Sequence, residues 1–298
     1  MFRLAHVSDL HLGPLPAIRP RELVSKRFTG WVNWRANRGR RQSQTILAGL
    51  IADLKARGPD FTAITGDLVN LGLPAEFAGA RRWLDRFADP ARAMAVCGNH
   101  DAYVPGALAA ALAAWQPYVA GDDGAPLRDS GDYPAVRRRD GVSIVACNSA
   151  RASLPFLATG YFRAGQAARL AAILDEERRE NRIRVVLIHH PPAGPTHGLH
   201  KRLSGAVLFR RALAQCGAEL VLHGHTHVAS LTHLPGPNRP VPVVGVPAAG
   251  ETGTGKRPAG RYNWFEIDGD GRHPRIAMRE FGYRGDAIAE LASRQLAD

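Results

Sequence analysis

Five short apolar runs, spread between residue 2 and residue 222, each end in Asp, Asn or His. Residues 2–7, 60–65, 93–97, 184–188 and 219–222 read as strands. They deliver Asp9 and His11, Asp67, Asn99 and His100, His189 and His190, and His225 and His227, the last pair just after His223. At a strand terminus, side chains two residues apart share a face. Asp9 with His11, and His225 with His227, therefore leave their strands pointing the same way. Gly66, Gly98 and Gly224 accompany three of the exits, where a sharp turn must re-aim a side chain. In a sheet whose strands alternate with helices, ligands gather beyond the carboxyl ends of the strands. The five exits are thus expected at one sheet edge, where imidazole, carboxylate and amide oxygen can grip a divalent metal.

The segments between the exits support that geometry. Residues 42–57 read as a helix, with Ile46, Leu47, Leu50, Ile51 and Leu54 at helical spacing and Gly58-Pro59 as a stop. Further helices are expected over 74–87, 106–115, 165–181 and 205–215. Residues 133–138 and 142–148 read as a hairpin around Asp140-Gly141. From about residue 228 the chain reads as antiparallel strands (228–234, 241–246, 262–267, 276–281), with a last helix over 286–295. The order predicts an α/β fold in which one mixed sheet packs on a second, with helices outside. With 298 residues and 45% hydrophobic content, a single domain over 1–298 can bury such a core.

No run of 18 apolar residues occurs, and the beginning of the chain lacks a basic-then-apolar leader pattern. Cys97, Cys147 and Cys216 are odd in number and lie in or beside apolar runs, as expected of free thiols in a reducing cytoplasm. The net charge is +12, and +7 of it falls in residues 19–41, where eight Lys and Arg face Glu22 alone. Phe28, Trp31 and Trp34 lie among those charges. A basic segment interleaved with aromatics suits an anionic partner with an apolar part: a lipid headgroup surface, a phospholipid-like substrate or nucleic acid.

Taken in order, Asp9-x-His11, Gly66-Asp67, Gly98-Asn99-His100-Asp101, His189-His190-Pro191 and Gly224-His225-x-His227 resemble the five motif blocks of the calcineurin-like metallophosphoesterase superfamily. The likeness spans residues 2 to about 230 and is strongest to the bacterial class III phosphodiesterase-like branch. Cys97 stands where many members carry Pro. The resemblance implies a four-layer αββα fold of two mixed sheets packed as a sandwich between helices. It implies two divalent ions, Mn²⁺, Fe²⁺/Fe³⁺ or Zn²⁺, one held by Asp9, His11 and His227, the other by Asn99, His189 and His225, with Asp67 bridging. His189, first off its strand, is taken as the ligand, and His190 as standing behind the ligands or facing substrate.

It further implies in-line attack on phosphorus by a metal-bridging hydroxide. His100 then protonates the leaving oxygen and Asp101 orients its ring. The expected activity is that of a phosphodiesterase on a cyclic nucleotide or other small diester. One alternative is a pyrophosphatase acting on a UDP-linked lipid sugar at the inner membrane surface. There residues 19–41 form a cap, Trp31 and Trp34 bind substrate, and the protein is peripheral to the membrane. A nuclease-like nucleic-acid-binding protein is the other alternative, disfavoured because no nucleic-acid module accompanies the arginines.

Overall fold

The computed structural model describes residues 1–193, 198–253 and 257–297, without the side chains of Arg38 and Arg40. Both of those arginines belong to the basic run and lie, as side chains, outside the described residues. Fourteen strands are formed among the described residues: β1 (Phe2–Val7), β2 (Phe61–Ile64), β3 (Ala93–Ala95), β4 (Ala135–Arg139), β5 (Val142–Ala146), β6 (Gly160–Tyr161), β7 (Ile183–Leu187), β8 (Leu203–Ser204), β9 (Leu220–His223), β10 (Ser230–Leu234), β11 (Val241–Gly245), β12 (Arg261–Gly269), β13 (Pro274–Arg284) and β14 (Ala287–Ala297). The helices are α1 (Arg27–Asn33), α2 (Gly39–Arg41), α3 (Gln44–Ala56), α4 (Pro74–Phe87), α5 (Ala107–Val119), α6 (Ala164–Arg179) and α7 (Ala206–Cys216).

The strands build two six-stranded mixed sheets, ordered β14-β13-β12-β1-β2-β3 and β10-β11-β9-β7-β5-β4. In the first, β1, β2 and β3 are parallel; in the second, β5, β7, β9 and β11 are. Strand alternation decides what each face covers. On β5, β7 and β9, Ile144, Ala146, Val185, Leu187, Leu220 and Leu222 share a core with the first sheet. Their neighbours Val145, Val186 and Val221 turn the other way, onto Leu170 and Leu174 of α6 and Phe209 and Leu213 of α7. Burial of both faces explains why these strands read as continuous apolar runs. On the far side of the first sheet, α3 starts at Ser43, whose hydroxyl accepts the Ile46 N–H, and buries Leu47, Leu50, Ile51 and Leu54.

Three expectations need correction. The five exits do not lie on one sheet: β1, β2 and β3 carry three of them and β7 and β9 the other two, so the site forms where the carboxyl edges of both sheets meet. The section after residue 228 is not wholly antiparallel, because β11 runs parallel to β9. Finally, residues 287–297 are a strand rather than a helix. Ile288, Leu291 and Leu296 lack a period of two, but two register shifts in the β13–β14 ladder each absorb a residue. Ile288 and Leu296 thereby both reach the core side. Gly285, at φ +63°, makes the tight turn that sets β14 against β13.

Residues 19–41 fold back as short helices. α1 docks through Gly30, where a Cβ would stand 2.1 Å from the Tyr103 hydroxyl and 2.8 Å from Leu71. Arg27 donates to the carbonyls of Leu71 and Gly72, and Lys26 Nζ to Ser153 Oγ and the Leu157 carbonyl, both at 2.8 Å. No helix among the described residues is long and apolar enough to cross a membrane. The three cysteines are free, Cys97 and Cys147 fully buried.

Candidate metal centre

Asp9, His11, Asp67, His225 and His227 all have positive φ, between 43° and 69°. Each such residue costs on the order of 1–3 kcal/mol and persists only where its surroundings impose it. Here the loops impose it on one another. Asp9 N–H and His11 N–H donate to the Gly66 and Asp67 carbonyls, at 2.9 and 3.0 Å. Asp67 Oδ1 accepts the His100 N–H at 2.7 Å, and Asp9 Oδ2 accepts the His225 N–H at 2.9 Å. Gly98 allows a close approach: a Cβ there would lie 2.2 Å from Asp67 Oδ1 and 2.7 Å from His189 Cε1.

The predicted ligands converge. Ligand atoms of Asp9, His11 and His227 lie within 4.8 Å of one another, as do those of Asp9, Asp67 and His189. One oxygen, Asp67 Oδ2, stands 4.0 Å from His11 Nε2 and 3.5 Å from His189 Nε2. Asn99 Oδ1 is 3.3 Å from His189 Nε2. Two donors on one ion at about 2.1 Å stand roughly 3–4 Å apart, so these separations are those of a ligand shell. Asp9 Oδ1 is buried without a hydrogen bond, 3.0 Å from His227 Nε2 and 4.0 Å from His11 Nε2. The buried, converging oxygen and nitrogen donors fit two divalent cations.

Backbone carbonyls fix which imidazole nitrogen faces inward. His11 Nδ1 donates to the Val69 carbonyl at 3.1 Å, and His189 Nδ1 to that of Thr65 at 2.7 Å, so each ring turns Nε2 to the centre. His225 Nε2 donates to the Lys201 carbonyl at 3.2 Å, which turns Nδ1 inward. His190 is different. Its Nε2 donates to the Ala158 carbonyl and its Nδ1 accepts from Ser149 Oγ at 2.8 Å, with the ring wholly buried. It is therefore not substrate-facing: it packs 4.3 Å from the His225 ring as a wall.

Asp101 also departs from expectation. Its carboxylate accepts four backbone N–H groups, from Asp67, Leu68, Val69 and Gly98, at 2.7–3.1 Å. The His100 ring is held instead by the Asn70 carbonyl at 2.5 Å, and it stacks on Tyr103. Asn70 is braced in turn by buried Glu76, which accepts the N–H groups of Asn70, Leu71 and Leu73. Trp31 packs beside Leu71, Leu73 and Tyr103, and Trp34 lies against the Gly39 backbone. The Trp31 contacts anchor the insertion to the protein body, and the Trp34 contact packs the insertion on itself.

Sequence reasoning missed Glu251 and Arg257. Glu251 Oε2 is 3.7 Å and Arg257 Nη1 3.0 Å from His227 Nδ1, behind the ring face that meets Asp9. The signal was present: β11 is a further parallel strand whose exit faces the centre, but it reads as part of an antiparallel section.

Charge in the centre is balanced by protons. Burial works to raise the Asp67 carboxyl, yet His189 and His100 hold it well below the usual range. Burial works to lower His189, but the Asp67 carboxylate prevails and takes it up to about 9. His227 is raised likewise, Asp9 overcoming burial. His190 is pushed down to about 3, by burial and then by His189. A cation must displace the proton on His189. Metal uptake at neutral pH is therefore expected to release protons, with affinity rising as pH rises toward about 9. Titration calorimetry of the metal-free protein in buffers of different ionisation enthalpy measures both.

The family model of calcineurin-like phosphoesterases matches residues 2–229. A dimetal phosphatase from Danio rerio superposes with a TM-score of 0.61 at 12% identity, covering 99% of this chain and 98% of that one. Purple acid phosphatase PPD1 from yellow lupin seeds superposes with a TM-score of 0.57 at 10% identity, covering 99% of this chain and 53% of the other. At these identities the likeness is one of fold. A probable cyclic nucleotide phosphodiesterase of Synechococcus is 39% identical over 54 residues, 18% of this chain. That match spans about a fifth (20%) of the relative's length. The chain belongs to the calcineurin-like phosphoesterase family.

Proposed function

We propose that the chain is a two-metal phosphodiesterase acting on a cyclic nucleotide or another small diester. The observation that carries the two-metal reading is the position of Asp67 Oδ2 between His11 and His189. Asp9, His11 and His227 would hold one ion, Asn99, His189 and His225 the other, and Asp67 both. Mn²⁺, iron or Zn²⁺ suits this donor set. When bound, the ions supply Lewis acidity and bring a water's pKa toward neutrality. The chain's own work is positional. Asp101 holds the 67–69 turn, the carbonyls of Thr65, Val69 and Lys201 aim the rings, and Asn70 turns His100 so that it donates a proton to the leaving oxygen. The basic residues of 19–41 and the 54-residue likeness to a probable cyclic nucleotide phosphodiesterase support the diester reading. A second reading, cleavage of the pyrophosphate of a UDP-linked lipid sugar, is favoured by apolar side chains such as Val24 and Phe28 that the insertion leaves exposed.

The test is a Mn²⁺-supplemented panel of bis(p-nitrophenyl) phosphate, p-nitrophenyl phosphate, a cyclic nucleotide and a UDP-linked lipid sugar. Diester hydrolysis abolished by chelation is expected; preference for the monoester, or turnover indifferent to chelation, would overturn the reading. His100→Asn is expected to slow cleavage of an alkyl ester by about 10²–10⁴-fold. The loss should be much smaller with p-nitrophenolate, a leaving group that needs little protonation. Rates on the two substrates, side by side, check this.

A further inference from the structure

We propose that the rim of the metal centre is a docking surface for an anionic lipid bilayer. Nine large apolar side chains are exposed among the described residues, and six of them, Val24, Phe28, Val32, Leu154, Phe156 and Leu199, gather in three segments. Each is between 46% and 85% exposed. Single exposed apolar residues are ordinary; a cluster is not.

Named hydrogen bonds join the segments. Lys26 ties the first to Ser153 and Leu157 of the second, and the Ala158 N–H donates to the His200 carbonyl of the third at 2.8 Å. Phe28 and Val32 lie four residues apart on α1 and so share one side of it, and Val24 stands in the turn that leads into that helix. Phe156 is 84% exposed and sits at φ +64°, a conformation that a bulky side chain seldom adopts. The local fold thus holds an aromatic ring outward in a strained turn, where it covers nothing of its own protein.

Charge selects the occupant. The exposed arginines in these segments include Arg19, Arg21, Arg35, Arg151 and Arg202, and the one acidic residue among them, Glu22, is engaged by the Arg19 N–H. Apolar wedges ringed by arginine match an interface of acyl chains beneath anionic headgroups. The same segments touch the metal centre. Lys26 lies over Tyr103, which stacks on His100, and the carbonyls of Ala158 and Lys201 hold His190 and His225. A bilayer on this rim would meet the mouth of the site, so an amphipathic phosphoester could enter without leaving the membrane. The inference extends the membrane contact expected of residues 19–41 to two further segments, and it stands independently of metal binding and hydrolysis.

The test is co-sedimentation of the full chain with phosphatidylcholine vesicles, with and without phosphatidylglycerol, beside the double variant Phe28→Ser/Phe156→Ser. The wild type is expected to sediment with the anionic vesicles only. The variant should partition about tenfold more weakly, with thermal unfolding and hydrolysis of soluble bis(p-nitrophenyl) phosphate unchanged. A wild type that stays in solution, a variant that sediments as well as the wild type, or a patch that instead pairs two copies of the chain in gel filtration would each overturn the proposal. Failure of the soluble assay in the wild type would overturn the hydrolytic reading and leave the vesicle result standing.

Discussion

Asp67→Ala is expected to abolish metal-dependent hydrolysis, with a fall in kcat of about 10³-fold or more. The size follows from what the carboxylate does. Asp67 Oδ2 is shared between the His11 and His189 sides, so its loss removes a donor from both ion positions at once. Two-metal stabilisation of developing charge supplies several kcal/mol, and each 1.4 kcal/mol is about tenfold in rate. Alanine also deprives the His100 N–H of its acceptor. Asp67→Asn keeps an oxygen for that hydrogen bond while removing the charge. If it loses activity equally, the defect is electrostatic rather than conformational. Steady-state kinetics on a soluble diester, with metal content measured on the same samples, separates the two.

Asp101→Ala is expected to fail differently. The carboxylate it removes is buried and accepts four backbone N–H groups from the turns that carry Asp67 and Asn99. Each donor left unsatisfied costs about 1–3 kcal/mol. The summed loss is about 4 kcal/mol at least, or roughly 8 °C in Tm for a chain of this size. A residue that merely oriented His100 would lower kcat and leave Tm alone. Thermal unfolding beside kinetics of His100→Asn distinguishes these: Asp101→Ala should lower stability and metal affinity together, and His100→Asn neither.

The contrast between Asp67 and Asp101 marks what was legible in the sequence. Asp67 stands at a strand exit beside a glycine, and several separate exits with the same grammar converge on one chemistry. The αββα layering was legible for a related reason: continuous apolar runs alternating with helical periods require parallel strands covered on both faces. The task of Asp101 was not legible, because its partners are backbone N–H groups, which every residue offers and no motif marks. The same holds for the carbonyls of Thr65, Val69, Asn70 and Lys201, which settle the tautomers of four histidines. His190 read as either supporting His189 or facing substrate because it adjoins that residue, but strand alternation turned it to Ser149 and Ala158. β14 was misread because its bulges break the period of two on which strands are recognised. Glu251 was missed through the direction of β11, which tertiary pairing with β9 decides.

The central claim is that one carboxylate, Asp67, joins two ion positions. The most direct measurement is anomalous diffraction from crystals of the protein soaked in Mn²⁺. Two anomalous peaks roughly 3.5–4 Å apart, with Asp67 between them, His11 and His227 on one side and His189 and His225 on the other, is the predicted result. A single peak, or two peaks of which Asp67 touches only one, would contradict it.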